Sequence, residues 1–157
     1  MKINESILSM CLYFTSNRFA RYMTKMAEEV FEKLQLSPTY VYLLVIVNQY
    51  PGITQKELCE KLSIAPSTST RFIDKLEKLE LVYRRLEWKE TNIHLTEKGI
   101  VLCEEIDECF DEFYKQYTSI LGEENNHVLA KALYESSEIL KKERSSFFFL
   151  PIICICK

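Results

Sequence analysis

The sequence predicts a mainly α-helical fold carrying one small β-hairpin, and three observations lead there. Only three glycines and four prolines occur in 157 residues, too few for a turn-rich all-β chain. Apolar residues recur at three- and four-residue spacing over most of the length, the period of an amphipathic helix. Two short runs rich in β-branched and aromatic residues, Leu81-Val82-Tyr83-Arg84-Arg85 and Thr91-Asn92-Ile93-His94-Leu95, read as paired strands joined through Leu86 to Glu90.

From the N-terminus, residues 5–33 place Ile7, Leu8, Cys11, Leu12, Phe19, Tyr22, Met23, Met26 and Val30 at helical spacing, which predicts one long helix. Ser37-Pro38 is a helix start, a capping residue followed by a proline at the first helical position. The stretch after it, TYVYLLVIVNQY, is apolar on nearly every face and predicts a buried central helix, although its β-branched content also suits a core strand. Pro51-Gly52 ends that element. Thr54 and Glu57 then stand at capping-box spacing, in which each side chain satisfies the other residue's free amide. A tight turn, Ser63-Ile64-Ala65, leads to a second helix at Pro66, and two short helices so joined form a helix-turn-helix.

Projecting residues 66–79 at about 100° per residue separates two faces. Ser69, Phe72, Ile73, Leu76 and Leu79 fall inward. Ser67, Thr70, Arg71, Asp74, Lys75 and Lys78 fall outward, with Thr68 at the boundary. Short hydroxyls at the start of a helix allow close approach to a major groove, and an arginine one turn later can read guanine. Ser67, Thr68, Thr70, Arg71 and Lys75 are therefore candidate DNA-contacting residues. A β-hairpin directly after a helix-turn-helix is a wing, and Arg84, Arg85 and Lys89 are its candidate phosphate or minor-groove contacts. A bland reading stands beside each: basic residues on exposed helices and strand ends are often only solvated. Beyond the hairpin, Thr96 opens a helix that Gly122 closes, and a last helix is predicted over 123–144.

The net charge of −3 argues against a nucleic-acid partner only until it is divided along the chain. Residues 54–99 carry 9 basic and 8 acidic side chains, whereas residues 100–144 carry 5 and 11, so the acidity lies outside the helix-turn-helix. An enzyme finds little support, for there is no glycine-rich phosphate loop, nucleophile motif or metal-ligand spacing. No cofactor and no metal are expected. The six cysteines form no CxxC pair, and the N-terminus MKINESILSM has no signal-peptide pattern, so reduced structural thiols and a cytoplasmic location are expected. No apolar run reaches the ~18–20 residues that span a bilayer, and no membrane partner is expected. The tail from Phe147 to Cys156 is too short and is broken by Pro151.

The run LCEKLSIAPSTSTRFIDKLEKLELVYRR followed by IHLTEKG resembles the core of MarR-family regulators, and the flanking helices extend the likeness more loosely over residues 5–144. The resemblance implies a winged helix-turn-helix flanked by N- and C-terminal dimerisation helices. It divides the chain into a dimerisation helix (1–36), a DNA-binding region (37–99), further dimerisation helices (100–144) and a hydrophobic tail (145–157). It implies a homodimer on a pseudo-palindromic double-stranded operator, usually a repressor, released by a small aromatic ligand or a peroxide. It also makes Cys11, followed by Tyr40 and Tyr42 on the next helix, a candidate redox sensor; the alternative is a small packed hydrophobe.

Three positions depart from the family pattern. The Asp-Arg-Arg signature usual at the wing tip is replaced by Leu86-Glu87-Trp88-Lys89-Glu90. Glu80 stands where a glycine is common, which implies strain of about 1 kcal/mol if the backbone there still needs φ > 0. Ala65 takes the place of a capping Asp or Ser. Together with the acidic balance, the altered tip also raises an alternative, a protein-interaction module that keeps the fold and binds DNA weakly.

Overall fold

A computed structural model describes residues 5–87 and 90–147. The chain runs α1 (Glu5–Met10), α2 (Leu12–Phe31), a 3-10 turn (Glu32–Leu34), α3 (Pro38–Gln49), β1 (Ile53–Thr54), α4 (Gln55–Leu62), α5 (Pro66–Lys78), β2 (Val82–Glu87), β3 (Glu90–Leu95), α6 (Glu97–Leu121) and α7 (Glu123–Phe147). It divides into one compact unit up to Phe113 and a second from Tyr114 onward.

The long first helix is broken at Cys11, whose φ of −80° and ψ of 112° are extended. Neither proline nor glycine causes the break. Thr15, Ser16 and Asn17 shortly beyond it have weak helix propensity, and their side chains turn back on the backbone. Thr15 Oγ1 donates to the Cys11 carbonyl at 3.0 Å, and Asn17 Nδ2 donates to Tyr13 O at 2.7 Å. Helical periodicity continues across such a break, so apolar spacing alone does not reveal it.

The first unit is built around α3. Val41, Leu43, Leu44 and Val47 are all fully buried, which resolves the TYVYLLVIVNQY segment as a core helix. Phe31 of α2, Leu58 of α4, Ile73 and Leu76 of α5, Ile93 of β3 and Ile106 of α6 complete the core. Each such side chain contributes about 1.5–3 kcal/mol on burial. Phe31 meets Phe110 edge-on at 5.3 Å between ring centroids, and Tyr42 meets the same ring at 5.2 Å.

The sheet is antiparallel and three-stranded, in the order β1-β3-β2. β1 is two residues long, pairing Ile53 with Ile93 and Thr54 with Asn92; so short a strand leaves no period-two signal in a sequence. The hairpin strands reach further than the residue types suggest, pairing Val82 with Leu95 at the root and Glu87 with Glu90 at the far end. The charged residues beyond Arg85 carry low strand propensity, and cross-strand pairing overrides it.

The second unit contains the last part of α6 and the whole of α7, turned by Gly122 at φ +81°. Asn126 Nδ2 donates to Thr118 Oγ1 across that turn at 3.4 Å. Val128, Tyr134, Ile139 and Leu140 of α7 are exposed. Among the described residues no single helix is long and apolar enough to cross a membrane.

Candidate nucleic-acid interface

The helix-turn-helix starts at the capping box. Thr54 N donates to Glu57 Oε2 at 2.9 Å, and Glu57 N donates to Thr54 Oγ1 at 3.3 Å, so both helix-end amides are satisfied. The Thr54 amide and then its hydroxyl, both donating to the Glu57 carboxylate, hold that carboxyl below its usual range. α4 ends at Ser63, whose φ of 54° is left-handed, and Ile64 N closes the turn on Cys59 O at 3.1 Å. Ala65 is the cap of α5 and supplies no side-chain bond, and Pro66 provides the pre-set φ instead.

α5 presents the two faces expected of it. Ile73, Leu76 and Ser69 are fully buried, and Phe72 packs half-buried against Tyr40 at 5.1 Å. Ser67, Thr70, Arg71, Lys75 and Lys78 are exposed, with Thr68 half-buried at the boundary. Ser69 lacks a hydrogen-bond partner for its hydroxyl among the described residues, and its small size lets α5 pack closely there.

The wing residues separate from one another. Arg84 is half-buried at the wing root and held by two carboxylates of α5. Its Nη2 lies 2.6 Å from Asp74 Oδ1, its Nη1 bonds Glu77, and its backbone N donates to Glu77 Oε1 at 3.0 Å. Arg85 is exposed, with its Nε 3.1 Å from Glu87 Oε1. Lys89 lies outside the described residues, as do Cys154 and Cys156. Asp74 and Glu77, one turn apart on α5, hold the wing root through Arg84. The sequence carried their signal, two carboxylates at i and i+3 followed by an arginine pair at the next strand. Helical projection places Asp74 outward, and the cation it faces lies ten residues on, in the next strand.

The wing root is fixed to α6 by another set of bonds. Glu80 has φ 59°, so the backbone is left-handed at this position where a glycine is common. Thr96 Oγ1 donates to Glu80 O at 2.6 Å and accepts from Gly99 N at 3.0 Å, while Thr96 N donates to Leu81 O at 3.1 Å. Within the hairpin, Tyr83 stacks on His94 with centroids 5.3 Å apart, which gives His94 a local packing role.

Cys11 is half-buried at the α1–α2 break, while Cys59, Cys103 and Cys109 are buried; all four are free thiols. Burial, then the charge of Asp107, pushes the Cys103 thiol up to about 11, far from the accessible thiolate a redox centre needs. Among the described residues no cluster of His, Cys, Asp and Glu could hold a metal ion.

The MarR family model matches residues 36–86, from the start of the central helix to the outer part of the wing's first strand. An uncharacterized HTH-type transcriptional regulator of Bacillus anthracis is 26% identical over 97 residues, which cover 62% of this chain and 66% of that relative. The matched segment thus spans just under two thirds of that protein's length. The HTH-type transcriptional repressor MdtR of Bacillus subtilis (strain 168) is 25% identical over 150 residues, 91% of this chain and 96% of the repressor. The structure of the transcriptional repressor CouR bound to a 23-mer DNA duplex superposes with a TM-score of 0.79 at 20% identity, covering 87% of this chain and 99% of that one. CouR bound to p-coumaroyl-CoA gives the same score at 21% identity, over 87% and 98%. At that identity the likeness to CouR is one of fold. The family match across the helix-turn-helix and the near full-length alignment with a repressor agree with that fold, and the chain is similar to MarR-family regulators over that segment.

Proposed function

We propose that the protein is a sequence-specific, DNA-binding transcriptional repressor that acts as a homodimer in the cytoplasm and is released from its operator by a small ligand or oxidant. The observation that carries this reading is the outer face of α5. Its first turns present Ser67, Thr68, Thr70 and Arg71 in front of Lys75 and Lys78, while the acidic residues of the same helix, Asp74 and Glu77, are occupied by Arg84. The face offered to DNA is therefore basic although the chain is acidic overall. In this reading Arg71 reads a base edge, Lys75 and Arg85 lie along phosphate, and Arg84 positions the wing.

The relatives support the same assignment: MdtR is named a repressor, and CouR has been solved on DNA and with a coenzyme A thioester of an aromatic acid. Dimerisation has support in each terminal region. Met10, Leu12 and Tyr13 near the N-terminus are exposed, as are Val128, Ile139 and Leu140 of α7. Large apolar side chains left in water mark a surface that another chain covers. With it we propose the division into a dimerisation helix (1–36), a DNA-binding region (37–99), further dimerisation helices (100–144) and a tail (145–157).

The test is a fluorescence-anisotropy titration of the full chain against DNA from its own upstream region at two salt concentrations. Affinity well above that for random duplex, falling steeply with salt, is expected, because each phosphate contact releases counterions. Binding no tighter than random duplex at either salt would favour the second reading, a protein-interaction module, for which the acidic C-terminal region and the substituted wing tip speak.

A further inference from the structure

Thr70 is exposed on the outer face of α5, in the row of small hydroxyl residues that the proposed function places in a major groove. A threonine hydroxyl there has two ways to read a base: through its oxygen, or by turning its methyl outward. A hydroxyl carries one proton and two lone pairs. Here the proton goes to the Pro66 carbonyl at 3.0 Å. One lone pair accepts from Gln55 Nε2 at 2.7 Å, and the same amide nitrogen also donates to Pro66 O at 3.2 Å. Three groups thus close a small ring of hydrogen bonds between the first residue of α4 and the first turn of α5.

We propose that Gln55 and Thr70 together form a thymine-selecting element, in which Gln55 holds the Thr70 oxygen inward and Thr70 reads DNA through its methyl group. A helical threonine ordinarily divides between two rotamers because its oxygen can bond the carbonyl a turn back. The second bond from Gln55 stabilises the rotamer in which that carbonyl bond is made. Donation to the guanine N7 and O6, adenine N7 or thymine O4 acceptors would require the ring to open, and the one lone pair left over can only accept, from adenine N6 or cytosine N4. The methyl remains available, and in the major groove thymine alone of the four bases presents a methyl of its own. Gln55 is itself well placed for this work. It follows Thr54 directly, and the capping box fixes the backbone at that point. Gln55 acts through Thr70 and is a positioning residue.

This inference rests on the reading of α5 as the groove-entering helix, and the experiment separates the two. Full-length protein is used to enrich bound duplexes from a randomised pool. In the enriched duplex each thymine is then replaced singly by deoxyuridine, which removes only the 5-methyl group. Wild type should lose about fourfold in affinity at one thymine per half-site, the worth of burying one methyl-sized group. Thr70→Val keeps the methyl and should retain that thymine-to-uracil ratio. Thr70→Ser lacks it and should bind both duplexes equally. Gln55→Ala should shrink the ratio while the melting temperature of the free protein stays close to wild type, a combination that a merely structural glutamine would not produce. An enriched site at which no thymine methyl matters to wild type, or a Thr70→Ser variant that still discriminates, overturns the proposal and leaves the groove reading standing. A pool that yields no enriched sequence overturns both.

Discussion

Arg71 and Arg84 carry the same charge and lie thirteen residues apart, yet one is exposed and the other is paired, and the proposed function gives them opposite work. Arg71 is exposed on the outer face of α5, a turn beyond the hydroxyls that allow close approach. Arg71→Ala should weaken binding to the preferred operator by about 1–3 kcal/mol and relax sequence choice at one base pair per half-site, as read by competition among single-base variants. Unchanged affinity and selectivity would remove it from the reading role. Arg84 is tied to Asp74 and Glu77 before any DNA arrives. Replacing it leaves two partly shielded carboxylates without their cation, so Arg84→Gln should lower the stability of the free protein by about 1–2 kcal/mol, seen as a fall in Tm. A phosphate-contacting arginine would leave that Tm where it was, and an unchanged melting curve would return Arg84 to the list of DNA contacts.

At the scale of elements, the structure follows those sequence signals whose physics is local. The Thr54–Glu57 box and the proline start at Pro66 are each decided by two or three adjacent residues, and each was legible, whereas the left-handed backbone at Glu80 was suggested only by the family resemblance. The two faces of α5 were legible too, because helical period and polarity coincide there. What the sequence hid depends on residues distant in the chain or on signals too short to repeat. β1 exists only because Ile53 finds Ile93, and the Gln55–Thr70 bond joins two helices across a turn. The break at Cys11 was hidden differently, since apolar spacing runs straight through it. Gly99 belongs with the hidden features: nothing around it in sequence says why it is glycine. A Cβ built there would lie 2.1 Å from the Leu81 carbonyl oxygen, which also accepts the Thr96 amide. Gly99→Ala must therefore push the wing root away from α6. A loss of about 1–3 kcal/mol in denaturant unfolding is expected, as for other overpacked sites. Wild-type stability in this variant would mean that the root is not held as closely as those distances imply.

Over the whole chain, acidic side chains concentrate in residues 100–144 while the exposed side of α5 is basic, so net charge predicts neither partner. The exposed apolar residues of α7 bear on the proposed dimer. A single helix-turn-helix covers one half-site, whereas two copies related by a two-fold axis bind two half-sites on one duplex with a single loss of translational freedom. The double substitution Ile139→Glu and Leu140→Glu places like charges on a face that a second copy is proposed to cover, far along the chain from every candidate DNA contact. Sedimentation equilibrium should then report a monomer where the wild type is a dimer. Affinity for a full pseudo-palindromic operator should fall at least a hundredfold, towards the value for an isolated half-site, while the half-site affinity itself stays the same. If the variant remains a dimer with full operator affinity, this face of α7 is not the one that joins the two copies. A monomer that still binds the full site as tightly as wild type would mean that the two helix-turn-helices do not act together on one operator.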